Sequence, residues 1–213
     1  MKQRQLSRRE MIEACIIRGS LMAAVAAIPQ ARLLTAWQRA ERDALRPTSE
    51  EILGPFHKKG APNVRILRRP SEPGFPLRVS GTVQSTRGQI LPTALIDVWQ
   101  TDANGRYDLD GYRYRANVRP SDDGTYWIET IIPGHYDDRP AQHIHYLVSA
   151  PGHKTLVTQA YFATDPFFRG DPDANFAKDG IVQHRELVRP VTLFDEDRRT
   201  RAAITFDIVL EQA

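Results

Sequence analysis

LRVSGTVQSTRGQILPTALIDVWQ, residues 77–100, is the stretch that determines the expected fold. Its two ends, LRVSGTV and ALIDVWQ, are short, rich in β-branched or aromatic residues, and largely alternate between apolar and polar positions. The turn sequence TRGQ, residues 86–89, separates them. Alternation with a period of two, interrupted by glycine, is typical of two β-strands joined by a turn.

Four further stretches repeat this pattern, and turn sequences rich in Asp, Gly and Pro separate them. They are TYWIETI (125–131), HIHYLVSA (143–150), LVTQAYF (156–162) and AITFDIVL (203–210). Short strands at this spacing predict an all-β protein, an antiparallel β-sandwich. Residues 165–195 are rich in Asp and Pro, so we expect a long covering loop there, followed by a strand near its end.

The composition of the 213-residue chain fits one globular domain with its own core. Its net charge of +3 comes from the first 32 residues, which hold six basic and two acidic side chains, so the remainder is close to neutral. The sequence has no basic block interleaved with aromatic residues, which argues against a nucleic-acid partner. It also lacks a glycine-rich phosphate loop and a G-x-S-x-G nucleophile motif.

Residues 1–31 have the order of features of an export leader: the pair Arg8 and Arg9, an apolar run at Leu21–Ile28, and then small residues. The run is too short to span a bilayer, and the arginine pair resembles a twin-arginine signal. We therefore expect an exported or periplasmic protein with no membrane span in its mature chain. If the segment is only an amphipathic N-terminal helix, the protein is expected in the cytoplasm.

Residues 32–52 carry a short helical pattern that Pro47 ends, so we predict a helical arm that leads into a domain over residues 53–213. The only cysteine, Cys15, lies in the predicted leader. A metal bound by the mature chain would therefore depend on His, Tyr or carboxylate ligands.

His143 and His145 lie one residue apart in a predicted strand, so both side chains project from the same face. Two imidazoles side by side can bind one metal ion, although such pairs also occur as ordinary surface histidines. Completion of the pair by a carboxylate, Asp137 or Asp138, would give a zinc or ferrous site.

Two tyrosines are further candidate ligands, and with them the site would suit a harder metal ion. Tyr136 lies just past the turn in IPGHY, seven residues before His143, and Tyr107 follows the turn DANGR. Two phenolates and two imidazoles suit Fe(III) better than copper or zinc, because the charge of the cation favours the deprotonated phenol.

Other tyrosines compete with this assignment. Tyr112 and Tyr114 lie close enough in sequence to Tyr107 to be rival ligands, and spacing alone does not choose among the three. Tyr126 and Tyr161 lie within predicted strands, so we expect them to be core or sheet residues.

Four segments together resemble the intradiol ring-cleavage dioxygenases, the group of protocatechuate and catechol dioxygenases. They are LGPFHKKGAPN (53–63), VSGTVQSTRGQILPTALIDVWQTDANGRYD (79–108), DDGTYWIETIIPGHY (122–136) and RPAQHIHYLVSAPGHKTLVTQAYFATDP (139–166). The resemblance implies a non-haem Fe(III) cofactor, and the ligand positions of the family match Tyr107, Tyr136, His143 and His145. It further implies that Arg139 stabilises the ketonised substrate, and that Gln159 supports the ligands or faces the substrate.

The resemblance also implies the reaction. The partners would be a small aromatic diol and O2, and cleavage between the two hydroxyl-bearing carbons would give a cis,cis-muconate-type diacid. Tyr136 would be the labile ligand that accepts a substrate proton, and Arg139 would stabilise the charge that develops on the ring. Gln142 stands between R-P-A and the histidine pair, where the family pattern has no residue, so Arg139 is displaced by one position relative to His143.

A protocatechuate-like or catechol-like substrate is expected. Catechol-type relatives have a longer helical N-terminal region than this chain, which favours the protocatechuate type. A substrate carboxylate would then need a basic partner, and Arg113 or Arg115 are the candidates. The sequence is compatible with a homo-oligomer but does not indicate one.

The competing interpretation is an exported transthyretin-like β-sandwich module that binds or supports other proteins without catalysis. Residues 79–107 also resemble such modules, which need no iron. They do not explain why Tyr136, the H-x-H strand and Gln159 occur together.

Overall fold

The computed structural model describes residues 45–136, 139–178, 180, 182–196 and 199–213. The predicted leader and the helical part of the predicted arm fall on residues 1–44, outside the described residues. The rest of the arm, residues 45–52, contains neither helix nor strand. The described part of the arm, residues 45–52, therefore does not include the predicted helix.

Ten β-strands dominate the described residues, and the expectation of an all-β protein is confirmed. They are β1 (Pro76–Ser85), β2 (Leu95–Trp99), β3 (Arg115–Val118), β4 (Thr125–Ile131), β5 (His143–Ser149), β6 (Leu156–Phe162), β7 (Val188–Arg189), β8 (Thr192–Glu196), β9 (Arg199–Thr205) and β10 (Ile208–Leu210). The predicted covering loop after β6 contains three short helical segments. They are a 3-10 turn at Pro166–Phe168, the one-turn helix α1 (Pro172–Asn175) and a 3-10 turn at Arg185–Leu187.

The strands form two five-stranded sheets. In the first sheet, β1 pairs with β4 on one side and with β9 and β10 on the other, and β8 pairs with β9. In the second sheet the order is β3-β2-β5-β6-β7. The β1–β9, β1–β10 and β6–β7 pairs are parallel, so the sheets are mixed and the predicted antiparallel pairing holds only for the other strand pairs. The long segment after β6 provides the crossover that parallel pairing requires.

The junction between β9 and β10 depends on a glycine in β1. A Cβ at Gly81 would lie 2.1 Å from the carbonyl oxygen of Phe206, so only glycine leaves room for that carbonyl. The Asp207 side chain then accepts the amide of Thr82 at 2.9 Å, in place of a backbone carbonyl. β9 and β10 thus continue beside β1 as one interrupted strand.

Both sheets contribute to one core of buried apolar side chains. Alternate residues of β1 and β4 point inward, which explains the period of two in their sequences. Tyr126 is 1% exposed and donates its hydroxyl to the Phe206 carbonyl at 2.6 Å, as expected for a core residue.

The extended arm connects the two sheets. The Thr48 amide donates to the Val209 carbonyl next to β1, and the Glu51 amide donates to the Val157 carbonyl in β6. Among the described residues, no helix has the length and apolar character needed to cross a membrane.

Candidate metal centre

Strand β5 positions the two histidines. His143 and His145 project from the same face and are 3% and 2% exposed. Trp99 in β2 pairs with His145 from one side, and Gln159 in β6 pairs with it from the other. The Trp99 and His145 rings stack with their centroids 4.7 Å apart and nearly parallel, at 4°. The neighbouring strands therefore fix the orientation of this imidazole.

The two imidazoles bring their Nε2 atoms close together. Nδ1–H of His143 donates to the Ala141 carbonyl at 2.7 Å, so its Nε2 carries a lone pair. The two Nε2 atoms lie 3.1 Å apart. Burial lowers the pKa of His143 to about 4 and lowers the pKa of His145 well below its usual range, so both rings are neutral near pH 7. Neutral imidazoles are the form that binds metals.

Both predicted tyrosines join the histidines. The Tyr107 hydroxyl lies 3.1 Å from Nε2 of His145 and 3.5 Å from Nε2 of His143. The Tyr136 ring centroid lies 5.7 Å from that of Tyr107 and 5.8 Å from that of His143. Burial, together with the neighbouring Tyr136, raises the pKa of the Tyr107 phenol. A cation is therefore needed to hold this phenol as a phenolate at neutral pH.

Close packing of two turns brings the tyrosines together. Gly105 has φ +76°, and a Cβ there would lie 1.8 Å from the carbonyl oxygen of His135. The amide of Gly134 donates to the Asp102 carbonyl at 2.8 Å, and the Thr101 hydroxyl donates to the Gly134 carbonyl at 3.0 Å. The turn before Tyr107 and the turn before Tyr136 are thereby joined.

The donor set fits a metal ion of the expected kind. Imidazole nitrogens bonded to one metal at about 2.0–2.1 Å lie roughly 3 Å apart, close to the separation of the two Nε2 atoms here. Without a cation, the lone pair of His143 Nε2 faces another ring nitrogen. Among the described residues, no group of three or more His, Cys, Asp and Glu side chains forms an alternative site. Asp137 and Asp138, the carboxylates of the zinc or ferrous alternative, lie outside the described residues.

Arg139 points toward the site despite its displacement by Gln142. Its Nη2 donates to Gln159 Oε1 at 2.7 Å and to the Tyr161 hydroxyl at 2.8 Å, and the side chain is buried. The chain bends at Ala141 before β5 begins, so the alternation of a strand does not apply between Arg139 and His143. The position of Gln142 therefore does not turn the Arg139 side chain away from Gln159 and Tyr161.

Gln159 links the arm to Arg139. Its Nε2 donates to the Ile52 carbonyl at 2.8 Å, which leaves Oε1 to accept from Arg139 and from the Tyr161 hydroxyl at 3.0 Å. The orientation of the Gln159 amide is thus set by the arm. Nε of Arg139 has no partner among the described residues.

Phe56, in the segment that follows the arm, lies over the tyrosines. Its ring stacks on Tyr107 at 4.3 Å and meets the edge of Tyr136 at 6.1 Å. The buried Arg115 holds this segment, because its Nη1 donates to the Phe56 carbonyl at 2.7 Å and its Nη2 to the Asp108 carbonyl at 3.2 Å. Phe56 therefore shields one side of the ligand cluster from water.

The rival tyrosines lie elsewhere. The Tyr112 hydroxyl donates to the Lys59 carbonyl at 2.9 Å, and its ring is 37% exposed with the Lys58 ammonium over it. Tyr114 is buried with φ 56°, and Arg113 lies over its ring. The structure brings Tyr107 to the histidines instead.

Sequence reasoning missed several residues of this site. The expectation that Tyr161 is a core residue is confirmed, since it is fully buried, but its hydroxyl also bonds to both Arg139 and Gln159. The signal was present, because Tyr161 lies two residues after Gln159 and so shares its strand face. Phe56 and Trp99 had no comparable signal, since an aromatic residue next to a metal ligand looks like any core aromatic.

Comparison with known proteins adds independent evidence. The sequence profile of the dioxygenase family matches residues 52–212. A chlorocatechol 1,2-dioxygenase of Rhodococcus opacus is 33% identical over 194 residues, which cover 77% of this chain and 72% of that protein. A catechol 1,2-dioxygenase of Pseudomonas sp. (strain EST1001) is 30% identical over 62% of this chain and 52% of that protein. This chain therefore spans only about half the length of the second relative.

A solved structure agrees with both. The dioxygenase domain of a dioxygenase and carbohydrate-binding protein fusion from Streptomyces sp. SirexAA-E superimposes with a TM-score of 0.67 at 33% identity. The match covers 79% of this chain and 100% of that domain. The chain therefore belongs to the intradiol ring-cleavage dioxygenase family, a family of oxidoreductases.

Proposed function

We propose that this protein is a non-haem Fe(III) dioxygenase that cleaves a catechol-type ring between its two hydroxyl-bearing carbons with O2. The observation that carries the proposal is the convergence of two phenols and two neutral imidazoles, Tyr107, Tyr136, His143 and His145. Phenolates and imidazoles suit ferric iron. We further propose that the two sheets, which share one core, pack as a β-sandwich under this site.

Tyr107, Tyr136, His143 and His145 would hold the ferric ion, which would supply Lewis acidity that favours ionisation of the diol and draws electron density from its ring. The diol must lose two protons: Tyr136, held as a phenolate by the cation, would accept one of them as the base, and solvent would take the other. Tyr107 is better suited to remain a permanent ligand, because Phe56 stacks on its ring and His145 lies within 3.1 Å of its oxygen.

Arg139 would stabilise negative charge that develops on the substrate ring. Its two side-chain partners, Gln159 and Tyr161, are neutral, so they orient the guanidinium without cancelling its charge. A buried positive charge held in place in this way is effective because it needs no reorganisation during the reaction. Phe56 and Trp99 would keep water away from the reacting groups.

We propose a substrate without a ring carboxylate, such as catechol or a halogenated or hydroxylated catechol. The two candidate partners for a carboxylate are engaged elsewhere. Arg113 pairs with Asp102 at 3.2 Å, and Arg115 is buried and bonds to backbone carbonyls. The names of the relatives support the same class, since one acts on chlorocatechol and another on catechol.

The test is the visible absorption spectrum of the iron-loaded protein, recorded without oxygen before and after adding catechol or protocatechuate. We expect a broad tyrosinate-to-iron band that moves to longer wavelength with catechol. Admission of O2 should then convert catechol to a muconate-type diacid, with much less product from protocatechuate.

A protein that stays colourless after reconstitution with iron would contradict the proposal and favour the non-catalytic transthyretin-like module. A coloured protein that responds more strongly to protocatechuate would retain the reaction but overturn the substrate class. His145→Ala serves as the control variant, because it removes one ligand and should abolish the band.

A further inference from the structure

Asp165 is a buried carboxylate at the end of β6 that does not belong to the ligand cluster. Its side chain is 0% exposed. Oδ1 accepts a hydrogen bond from Nε2 of His135 at 2.8 Å and another from the Phe167 amide at 3.0 Å. Oδ2 accepts the amide of Gln142 at 2.6 Å. One carboxylate therefore receives three donors from three places in the chain.

Two of these donors stand directly before candidate ligands. His135 precedes Tyr136, and Gln142 precedes His143. The segment from 135 to 142 therefore has both of its ends bound to the same carboxylate.

We propose that Asp165 is a positioning residue for the metal site, which holds Tyr136 and His143 at a fixed separation by binding His135 and Gln142. The inference rests on the proposed function, because it concerns the ligands of the proposed iron. Asp165 would act through the residues that precede two of the ligands, His135 and Gln142.

Asp165 is itself held in place by the backbone. The Asp165 amide donates to the Phe162 carbonyl at 2.9 Å, which fixes the residue to the end of β6. Hydrogen bonds to an ionised carboxylate are among the stronger ones in proteins, and a buried donor that loses its acceptor is costly. Metal ligands need to be held to about half an ångström, which a loop alone does not provide.

These hydrogen bonds from His135 and Gln142 to Asp165, the tie, lie beside a surface groove. His135 and Gln142 line a surface groove of about 550 Å³, together with Phe75 and Thr164. None of the four candidate ligands lines this groove. A change at Asp165 is therefore expected to act on the reaction through ligand geometry.

Asp171 offers a matched control. Like Asp165, it is followed by proline and caps a short helix, since its side chain accepts the Ala174 amide at 3.0 Å. Unlike Asp165, Asp171 is exposed, and its side chain accepts a hydrogen bond within its own helix. Asp171→Ala removes a cap of the same kind without releasing the ligands.

The first measurement is hydrogen exchange of the iron-free protein. We expect the Gln142 amide and its neighbours to exchange at least about tenfold faster in Asp165→Ala than in the wild type, and at the wild-type rate in Asp171→Ala. Equal exchange in all three proteins would overturn the tie itself. This measurement does not depend on iron and so tests the tie even if the proposed function fails.

The second measurement is Fe(III) affinity, by competition with a chelator, together with the wavelength of the tyrosinate band. We expect Asp165→Ala to bind iron about 10–100-fold more weakly with a shifted band, and Asp171→Ala to match the wild type. An unchanged affinity and band, with both variants only less stable, would show that Asp165 is merely a cap. If Asp165→Ala does not fold, His135→Ala removes one of the three bonds at a side chain that is 43% exposed, and a smaller change in the same direction is expected.

Discussion

His143 illustrates how one hydrogen bond prepares a side chain for metal binding. Because Nδ1–H is committed to the Ala141 carbonyl, only Nε2 is left, with its lone pair toward His145 and Tyr107. Burial keeps the ring neutral. The tautomer, the charge and the direction of the lone pair are therefore set before any cation arrives.

Tyr107→Phe should remove a ligand with little effect on folding. We expect Fe(III) affinity to fall by at least about 10–100-fold, since loss of even a supporting partner has that effect. Tyr126→Phe is the control, because it removes the buried hydrogen bond to the Phe206 carbonyl and should cost about 1–3 kcal/mol of stability. Iron content and urea unfolding of both variants provide the measurement. Equal loss of iron in the two would contradict the ligand assignment.

The iron-free protein should lose stability in acid because of His143. Its pKa is about 4 in the folded state and 6.5 ordinarily, so between these values the unfolded chain binds a proton that the folded chain does not. The free energy of unfolding should therefore fall as the pH drops through this window, by on the order of 3 kcal/mol from His143.

Urea unfolding at about pH 7 and about pH 4.5 tests this. His143→Asn should show a smaller loss than the wild type, because asparagine does not take up a proton. His184→Asn is the control, since that side chain is 40% exposed and far from the ligand cluster in sequence, and it should behave like the wild type. The same pH dependence in His143→Asn and the wild type would refute the attribution.

Sequence reasoning found the residues with a distinctive chemical pattern. His143 and His145 stand out because H-x-H in a strand places two imidazoles on one face. Arg115 and Asp165 could not be found in this way, because their roles depend on carbonyls and amides that only the folded chain brings near. Single residues were therefore predictable where their own neighbours in sequence defined the pattern.

The turn that ends at Tyr107 and the turn that ends at Tyr136 act as one unit. Neither turn contains a metal ligand pair by itself, and the contact between Gly105 and His135 joins them. This contact places the tyrosines opposite the histidines of β5. The strand provides half of the candidate ligands and the paired turns provide the other half.

Gly105→Ala should separate the two turns. The new Cβ would meet the His135 carbonyl oxygen at 1.8 Å, and φ is +76°, so both overlap and backbone strain oppose it. Gly88→Ala is the control, because Gly88 has nearly the same φ, +75°, with nothing within 4 Å of the added Cβ. We expect about 1–2 kcal/mol of destabilisation from strain in both, and about 1–3 kcal/mol more in Gly105→Ala.

The affinity for Fe(III) should also differ between Gly105→Ala and Gly88→Ala. Gly105→Ala should bind Fe(III) more weakly, whereas Gly88→Ala should bind it like the wild type. If both lost stability equally and bound iron equally, the contact between the turns would not matter for the site.

Most strands were predictable because alternation is a local property. TYWIETI coincides with β4 and LVTQAYF with β6. The pairing direction was not predictable, since β9 reaches β1 across more than a hundred residues of chain. β3 was also missed, because four residues in RANV are too few to show a period.

At the scale of the whole molecule, the uneven distribution of charge along the chain bears on where the protein is located in the cell. The basic residues of the first 32 positions precede a nearly neutral domain. We propose that residues 1–31 direct export by a twin-arginine route. Such a route carries folded proteins, so the site would acquire its iron before export.

Replacement of Arg8 and Arg9 by lysine tests the export proposal. We expect the protein to be retained in the cytoplasm of a host that has the twin-arginine route, as measured by cell fractionation. Arg4→Lys, outside the pair, should be exported normally. Export of the double variant at the normal level would count against this route and favour an ordinary amphipathic helix.

Because Trp99 stacks on His145, the fluorescence of Trp99 should depend on whether the protein contains iron. A ferric ion bound to His145 would lie within a few ångströms of the indole and quench its fluorescence, because excited indoles transfer energy and electrons readily to coloured metal centres. Emission should therefore fall as the protein is loaded and recover when a chelator removes the ion. Trp99→Phe should lose most of this change, whereas Trp127→Phe, at a residue held between Arg65 and Arg78, should keep it.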